Sequence, residues 1–252
     1  MDLQLKGKKA LVTGSTRGIG RAIADVLADE GVHLAICSRT EEAVREAAGA
    51  LQGKGVRVFS RAFDAREGGA LRGFVADAAE DLGGLDILVH NVSGWGGLDE
   101  EAWRTTFEVD MLGAVRCVDA ALPALKASGS GSIVFISSTA ALEAWKGARS
   151  YNAIKAALLV HANSLSQTLA EDGIRVNSVS PGPIFHKDGP WDRVKKEDPA
   201  GFEQVRENIP LKRMGTPEEV ANAVAFLVSP LSGFTTGTNI VVDGGNTRRV
   251  QF

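Results

Sequence analysis

The chain has 252 residues, of which 44% are hydrophobic and 23% are charged, so it is an ordinary globular sequence long enough to bury a sizeable core. A formal net charge of −3 gives no indication of a nucleic-acid surface, which needs a clustered excess of lysine and arginine. No export signal and no long apolar run occurs, so we expect a cytoplasmic protein without a membrane partner.

The two cysteines and four histidines match no metal-ligand spacing. We therefore predict no metal site, and we interpret Cys37 and Cys117 as free thiols of a cytosolic protein.

Short apolar runs alternate with longer helical patterns along the whole chain, without repeats or low-complexity linkers. The predicted strands lie at 9–14, 32–38, 56–64, 85–91, 131–138, 174–180 and 238–245. The predicted helices lie at 18–30, 40–51, 67–82, 99–126, 149–171 and 217–228. Apolar strands that are each followed by a helix indicate a parallel sheet covered on both faces. We predict an α/β protein with one domain over residues 1–252. Its sheet is of the doubly wound Rossmann type with about seven strands, and its ligand crevice lies beyond the strands' carboxyl ends.

The first predicted strand and helix are joined by TGSTRGIG at residues 13–20. Gly14 can make the tight turn, Gly18 allows backbone to approach a ligand, and Gly20 permits close packing of helix on strand. The helix N-terminus adds free N–H groups and a positive dipole end, which suit a pyrophosphate. The motif in this position predicts a dinucleotide site.

The choice of dinucleotide depends on the end of the second strand, which reads CSRT and has no carboxylate for a ribose 2′-hydroxyl. Arg39 at this point and Arg17 nearby can pair with a 2′-phosphate, which favours NADP(H). Alternatively, both arginines are solvated surface residues.

The only tyrosine, Tyr151, stands four residues before Lys155, so both side chains leave one face of a helix. A phenol, with a reference pKa of about 10, is a poor acid–base catalyst at pH 7 until a nearby cation favours its phenolate. The pair therefore predicts a proton-transfer site. The same helix is apolar on more than one face, which favours a subunit interface; a fully internal helix in a monomer is the alternative.

Together with Ser138, these motifs resemble those of the short-chain dehydrogenase/reductase family. The resemblance runs from KALVTG (9–14) to VVDGG (241–245) and includes RVNSVSPG (175–182) and RMGTPEEVANAVAFLVSP (213–230). Within that family the best likeness is to ketoreductases of the 3-oxoacyl-acyl-carrier-protein reductase type.

The resemblance implies hydride transfer between NADP(H) and a carbonyl or secondary alcohol. Tyr151 would give a proton to the carbonyl oxygen, Ser138 would hydrogen-bond the same oxygen, and Lys155 would also hold the nicotinamide ribose. The implied cofactor-binding residues are Gly14, Ser15, Thr16, Arg17, Gly18, Ile19, Gly20, Ser38, Arg39, Asp64, Ala65, Asn91, Tyr151, Lys155, Pro181, Gly182 and Ile184.

One departure concerns the catalytic set itself. The family commonly has asparagine, which helps to hold a water linked to the lysine, where this chain has Asp110. An ionised carboxylate cannot donate a hydrogen bond, and its charge would raise the pKa of Lys155 while weakening the pull on Tyr151. We predict that Asp110 alters the proton relay without abolishing catalysis; a purely structural aspartate is the alternative.

Two further departures concern histidines. In HNVSG (90–94), His90 and Ser93 replace residues of the usual NNAG, and we interpret His90 as a packing or ribose-edge variant rather than a catalytic base. His186 stands where many relatives have a threonine that contacts the carboxamide. It would either contact the cofactor differently or face the substrate.

Residues at about 184–212 interrupt the α/β alternation and are predicted to form a mobile cover over the site. Aromatic residues there and after two strands predict an apolar pocket for a hydrophobic or ring-bearing carbonyl; alternatively they only pack the cover. The predicted substrate contacts are Ser138, Trp95, Trp145, His186 and Trp191. An acyl thioester, a steroid-like ketone and a sugar-derived ketone all remain open as substrates.

The resemblance also implies a homotetramer. Two other functions stay open: an NAD-linked dehydrogenase of the same family, and a non-catalytic dinucleotide-binding regulatory protein.

Overall fold

The computed structural model describes residues 2–144 and 147–250, and the centre of this part is a parallel sheet. Its strands are β1 (Lys9–Thr13), β2 (His33–Ser38), β3 (Val58–Ala62), β4 (Ile87–His90), β5 (Ser132–Ile136), β6 (Arg175–Pro181) and β7 (Asn239–Val242). They are ordered β3-β2-β1-β4-β5-β6-β7, and every neighbouring pair is parallel. The predicted α/β class and seven-stranded doubly wound sheet are confirmed.

The helices follow the strands in the expected alternation. They are α1 (Gly18–Asp29), α2 (Glu41–Gln52), α3 (Gly68–Leu82), α4 (Glu100–Thr106), α5 (Gly113–Ser128), α6 (Ser150–Thr168), α7 (Pro190–Glu197), α8 (Pro199–Asn208) and α9 (Pro217–Val228). In the two described ranges, none of these helices combines the length and the apolar character needed to cross a membrane.

The core is divided into two layers by the sheet, because successive side chains of a strand point to opposite faces. On β1, for example, Ala10 and Val12 pack with α1, α2 and α9, whereas Leu11 packs with α3, α5 and α6. Strands buried on both faces therefore have no polar face, which is why they are continuous apolar runs in the sequence.

Strand order reverses where β1 lies between β2 and β4. Chains leaving β1 and β4 at their carboxyl ends turn in opposite directions there, which opens a crevice at this edge of the sheet. The glycine turn after β1 and the segment after β4 meet in this crevice.

The helix predicted at 99–126 differs from the expectation, because a π-helix at Phe107–Leu112 separates α4 from α5. A π-helix is a rare local widening that is frequent at functional sites. His90 contacts it from β4: its Nε2 lies 3.1 Å from the backbone carbonyl oxygen of Asp110 and donates to it. The sequence of the helix alone holds no sign of this contact.

The predicted cover at 184–212 contains two helices, α7 and α8, which the sequence pattern did not predict. Each helix has proline in its first turn, and Asp198 caps α8 by accepting the backbone N–H of Gly201 at 2.9 Å. A small separate core of Phe202, Ile209 and Met214, with Phe185 and Trp191 against it, holds the two helices together.

Candidate active site

The glycine turn between β1 and α1 has the backbone geometry that a phosphate site requires. Gly14 and Gly18 have φ of +65° and +55°, and a Cβ on Gly20 would lie 2.3 Å from the carbonyl oxygen of Gly14. The exposed Arg17 precedes α1 without capping it through its side chain, so the first N–H groups face the crevice. Asn91 fastens the turn from β4, because its Nδ2 donates to the Gly14 carbonyl at 3.1 Å. These residues fit a pyrophosphate.

Not every residue of the turn is available to a ligand. Thr16 and Ile19 are half-buried at the crevice, but Ser15 is fully buried. The Ser15 hydroxyl donates to the carbonyl of Val12 at 2.8 Å, and its backbone N–H donates to the carbonyl of Cys37 at 3.2 Å. Ser15 therefore supports the turn from beneath.

The ends of β2 and β3 form the outer part of the crevice. Ser38 is half-buried at the end of β2, and Arg39 after it is exposed. Asp64 and Ala65 follow β3, and a hydrogen bond from Arg66, together with the charge of Arg39, lowers the pKa of Asp64. Arg39 thus places an exposed guanidinium at the outer part of the crevice.

The predicted proton-transfer residues, Tyr151 and Lys155, lie one turn apart on α6. Lys155 Nζ lies 5.6 Å from the centre of the Tyr151 ring and donates to the carbonyl of Ile136 at 2.9 Å. Its second partner is Asp110, whose Oδ1 lies 3.0 Å away. The Ser137 hydroxyl fixes this turn of α6 by donating to the carbonyl of Lys155 at 2.8 Å. The ammonium is therefore held at one place below the phenol ring.

The charge of Lys155 is maintained against burial. Removal from water is the largest influence and by itself lowers the pKa of the ammonium. The negative charge of Asp110 and the proximity of Tyr151 together outweigh it, so the pKa of Lys155 is raised. Lys155 is a protonated, paired cation at neutral pH.

Asp110 faces two hydrogen-bond donors. Its Oδ1 pairs with Lys155, and its Oδ2 accepts the backbone N–H of Gly94 at 2.6 Å. A carboxylate can accept at both oxygens, whereas an asparagine in the same place would turn its NH₂ group toward one of the donors. Gly94 is closely packed, because a Cβ there would lie 3.1 Å from the carbonyl oxygen of Thr105.

His90 is a packing residue and does not reach the crevice surface. It is fully buried against Phe135, and desolvation, with the charge of Lys155 as the second cause, lowers the pKa of His90 to about 4. The imidazole is therefore neutral, and its Nε2–H holds the carbonyl of Asp110. The burial of His90 against Phe135 favours a packing role over a position at the ribose edge or a role as a catalytic base.

Ser138 stands at the end of β5 and begins a 3₁₀-helix (Thr139–Ala141) that packs against α6. Its hydroxyl oxygen accepts the backbone N–H of Ala140 at 3.1 Å. That contact fixes the oxygen and leaves the hydroxyl proton for another acceptor.

Trp95 lies directly on the candidate catalytic tyrosine. The Trp95 and Tyr151 rings are stacked, with centroids 6.0 Å apart and planes inclined by 4°. Trp95 has the left-handed φ of 59°, and its backbone N–H donates to the Ser93 hydroxyl at 3.2 Å. A non-glycine residue in this conformation is strained. The indole is still 58% exposed, so much of its surface is open to solvent beside Tyr151.

The remaining predicted substrate residues are spread over different places. The His186 ring lies against Gly18 of the phosphate turn, since a Cβ on Gly18 would be 2.8 Å from Nε2. Trp191 packs on the small core of α7 and α8. This position agrees with the alternative that the aromatic residues pack the cover. Trp145 lies outside the described residues.

Pro181, Gly182 and Ile184 lead from β6 across the crevice floor. A Cβ on Gly182 would lie 2.5 Å from the Cβ of Asp243, so only glycine fits. Ile184 is buried and forms an isolated parallel bridge with Gly215.

Sequence reasoning missed three groups of this site: the N–H of Gly94, the carbonyl of Ile136 and the hydroxyl of Ser137. The first two are backbone groups, which any residue supplies, so the sequence contains no signal for them. Ser137 stands beside Ser138 in FISS, and nothing in the sequence separates their roles.

A family model described as enoyl-(acyl carrier protein) reductase matches residues 14–247. Isoepoxydon dehydrogenase patN of Penicillium expansum is 40% identical over 253 residues, which cover 98% of each chain. Dehydrogenase/reductase SDR family member 4 of Bos taurus is 38% identical over 248 residues, 96% of this chain and 88% of the relative.

Among solved structures, L-sorbose reductase from Gluconobacter frateurii, complexed with NADPH and L-sorbose, superposes with a TM-score of 0.93. It is 34% identical, and the match covers 99% of this chain and 100% of the reductase. The similarity therefore extends over the sheet, the crevice and the covering helices alike.

Proposed function

The chain belongs to the short-chain dehydrogenase/reductase family of oxidoreductases, and from this premise we propose that it is an NADPH-dependent carbonyl reductase, or an alcohol dehydrogenase in the reverse direction. The observation that supports this proposal best is the buried Lys155 ammonium held beneath Tyr151 by Asp110 and the Ile136 carbonyl. A positive charge held beneath the Tyr151 ring favours the phenolate and so assists proton transfer at the phenol oxygen.

In the proposed reduction, Tyr151 gives its hydroxyl proton to the substrate's carbonyl oxygen. Ser138 donates its hydroxyl proton as a hydrogen bond to the same oxygen and fixes its position. Lys155 stabilises the phenolate that remains, and Asp110 positions Lys155 through their ion pair. When bound, the dinucleotide would supply the hydride that reduces the carbonyl carbon.

The proposed cofactor is NADP(H), held by the glycine turn and by two guanidinium groups. The positive φ of Gly14 and Gly18 and the close packing of Gly20 on Gly14 shape the turn that would hold the pyrophosphate. The exposed Arg17 and Arg39 would pair with the 2′-phosphate. The L-sorbose reductase with a TM-score of 0.93 was solved with NADPH, which supports the same choice.

The proposed substrate is a small ring-bearing or polyhydroxylated ketone. The exposed face of Trp95 above Tyr151 offers a flat apolar wall to the carbon face of such a ring. Isoepoxydon dehydrogenase and L-sorbose reductase, by name, act on molecules of this size. A long acyl thioester and a steroid-like ketone are the alternatives that a substrate panel would separate.

We also propose that the chain is a single cytoplasmic domain that assembles into a homotetramer. Trp103, Phe107 and Val160 lie exposed on α4, the π-helix and α6, and Phe234 is fully exposed before β7. These apolar side chains would be covered by other copies of the chain. The mass of the protein in solution, measured by light scattering, tests the tetramer.

The decisive experiment compares wild type with Tyr151→Phe in cofactor binding and in turnover. Fluorescence titration with NADPH and NADH measures binding, and NADPH oxidation against a panel of small ketones measures activity. Tyr151→Phe should keep its NADPH affinity and lose roughly 10²–10⁴-fold in kcat. Wild-type activity in this variant contradicts the catalytic role of Tyr151.

The same measurements separate the other two functions. Equal or tighter binding of NADH would indicate an NAD-linked dehydrogenase of the family. Tight NADPH binding without turnover of any panel member would indicate a non-catalytic dinucleotide-binding protein.

A further inference from the structure

The imidazole of His186 is enclosed between two glycines. A Cβ on Gly18 would lie 2.8 Å from its Nε2, and a Cβ on Gly189 would lie 2.5 Å from both its Nε2 and its Cε1. With a side chain at either glycine, the ring would have to move from this position. His186 therefore has a defined position on the turn that joins β1 to α1.

The orientation of the ring follows from its other nitrogen. Nδ1 lies 3.0 Å from the backbone carbonyl oxygen of Lys187, and since a carbonyl only accepts, Nδ1 carries the proton of this contact. Nε2 is then the nitrogen beside Gly18, at the N-terminus of α1. An imidazole whose Nδ1 is already protonated can donate from Nε2 only as an imidazolium.

We propose that His186 is a phosphate ligand, and that its Nε2 binds a diphosphate oxygen of the dinucleotide at the start of α1. A phosphate oxygen only accepts, so Nε2 must carry a proton to bind it, while Nδ1 keeps its contact with Lys187. The ring that binds the diphosphate is therefore protonated at both nitrogens. This inference rests on the proposed function, because it assumes that the turn binds a dinucleotide.

The charged groups around the ring come from two sides. Arg17 precedes Gly18 at the start of α1, and Lys187 and Asp188 follow His186 in the chain. Asp192 of α7 accepts the backbone N–H of Asp188 at 3.0 Å and pairs with Lys196 at 2.7 Å. Asp192 is therefore satisfied by other partners, and the phosphate itself is the anion that favours the protonated ring.

The role differs from that of the threonine found here in many relatives. A threonine hydroxyl is neutral and can donate or accept, which suits a carboxamide. An imidazolium brings a positive charge to a site that already has a helix N-terminus, and this combination suits a phosphate.

The test measures binding of three probes by isothermal titration, with His186→Asn and His186→Gln as a matched pair of variants. Asparagine can place an amide near the Nδ1 position only, whereas glutamine can place an uncharged donor near the Nε2 position. The probes are NADPH, 2′-phospho-ADP-ribose and adenosine 2′-phosphate. The second has the diphosphate but not the nicotinamide, and the third has neither group.

His186→Asn should bind NADPH and 2′-phospho-ADP-ribose roughly 10-fold or more weakly, with unchanged affinity for adenosine 2′-phosphate. His186→Gln should recover part of the loss.

Three results would overturn the assignment of His186. Weakened binding of NADPH alone would place the ring at the nicotinamide, unchanged binding of all probes would remove its role, and tighter binding by His186→Asn would mean that the ring obstructs the turn. Failure of wild type to bind any probe would overturn the dinucleotide site itself, and with it this inference.

Discussion

At the proposed proton-transfer end of the crevice, Lys155 and Asp110 form an ion pair shielded from water, whereas at the proposed dinucleotide end Arg17 and Arg39 are exposed to solvent. The side chains of Lys155 and Asp110 are 2% and 0% exposed, and each has a second partner in the backbone. Neither arginine makes an ion pair with a carboxylate in residues 2–144 or 147–250. One end is complete within the chain, and the other has charges whose partner would be a ligand.

The difference predicts how each end responds to substitution. Removing one partner of a buried pair leaves an uncompensated charge in a medium of low dielectric, which is strongly destabilising. Removing an exposed charge leaves the rest of the fold in water and changes stability by less than about 0.5 kcal/mol. Substitutions in the buried Lys155–Asp110 pair should therefore affect stability and catalysis together. Substitutions of the exposed Arg17 and Arg39 should affect ligand affinity alone.

The largest effect is expected for Asp110→Asn. The amide lacks the charge that opposes the desolvation of Lys155, and it turns its NH₂ group toward Lys155 or toward the N–H of Gly94. The pKa of Lys155 should fall, so the alkaline limb of the kcat/KM profile for carbonyl reduction should move to lower pH. We expect a loss of roughly 10²-fold in kcat/KM at pH 8 and about 3 kcal/mol in the free energy of unfolding.

A matched control is available on the same π-helix. Glu108 pairs with Arg116 at 2.5 Å, but its side chain is partly exposed. Glu108→Gln should change neither the pH–rate profile nor kcat/KM. An unchanged profile for Asp110→Asn would mean that Asp110 has only a structural role.

These contrasts also explain what the sequence could predict. The sheet was predictable because strands buried on both faces are continuous apolar runs, and the glycine turn because its spacing follows from backbone geometry alone. Tyr151 and Lys155 could be paired because helix periodicity brings residues four apart to one face.

The parts that could not be predicted depend on contacts between distant segments. His90 reaches the carbonyl of Asp110 in the π-helix from β4, and the helix's own sequence does not indicate this contact. The stacking of Trp95 on Tyr151 requires a left-handed φ at a tryptophan, which no residue preference anticipates. The place of His186 depends on the close approach of Gly18 and Gly189 across the crevice.

An intermediate effect is expected for Arg39→Glu, at the exposed end. The new carboxylate repels a 2′-phosphate and can accept from a 2′-hydroxyl, so the affinity for NADPH should fall by roughly 10²-fold while that for NADH holds or rises. The value of kcat at saturating cofactor and the free energy of unfolding should stay close to those of wild type. Arg45→Glu, an exposed charge reversal on α2, controls for the change in net charge. Equal loss of NADPH affinity in both variants would show that Arg39 has no specific role.

The smallest effect is expected for Glu219→Gln. This substitution tests whether the ion pair itself or its burial determines the loss in the free energy of unfolding. Glu219 pairs with Arg213 as Asp110 pairs with Lys155, but the two side chains are 39% and 52% exposed. The hydrogen bond from Arg213, followed by the one from the backbone of Thr216, lowers the pKa of Glu219 to about 2. A lowered carboxyl pKa stabilises the fold above the ordinary value of 4.5, and this stabilisation is lost as the pH falls toward 2.

Because solvent screens this exposed pair, Glu219→Gln should cost only about 0.5 kcal/mol in the free energy of unfolding at pH 7. Glutamine can still accept the backbone N–H of Thr216, so the cap of α9 survives and the ion pair alone is removed. Urea denaturation at a series of pH values should show the difference from wild type shrinking between pH 4.5 and 2. A cost as large as that of Asp110→Asn would mean that the ion pair itself, and not its removal from water, makes the proton-transfer end sensitive.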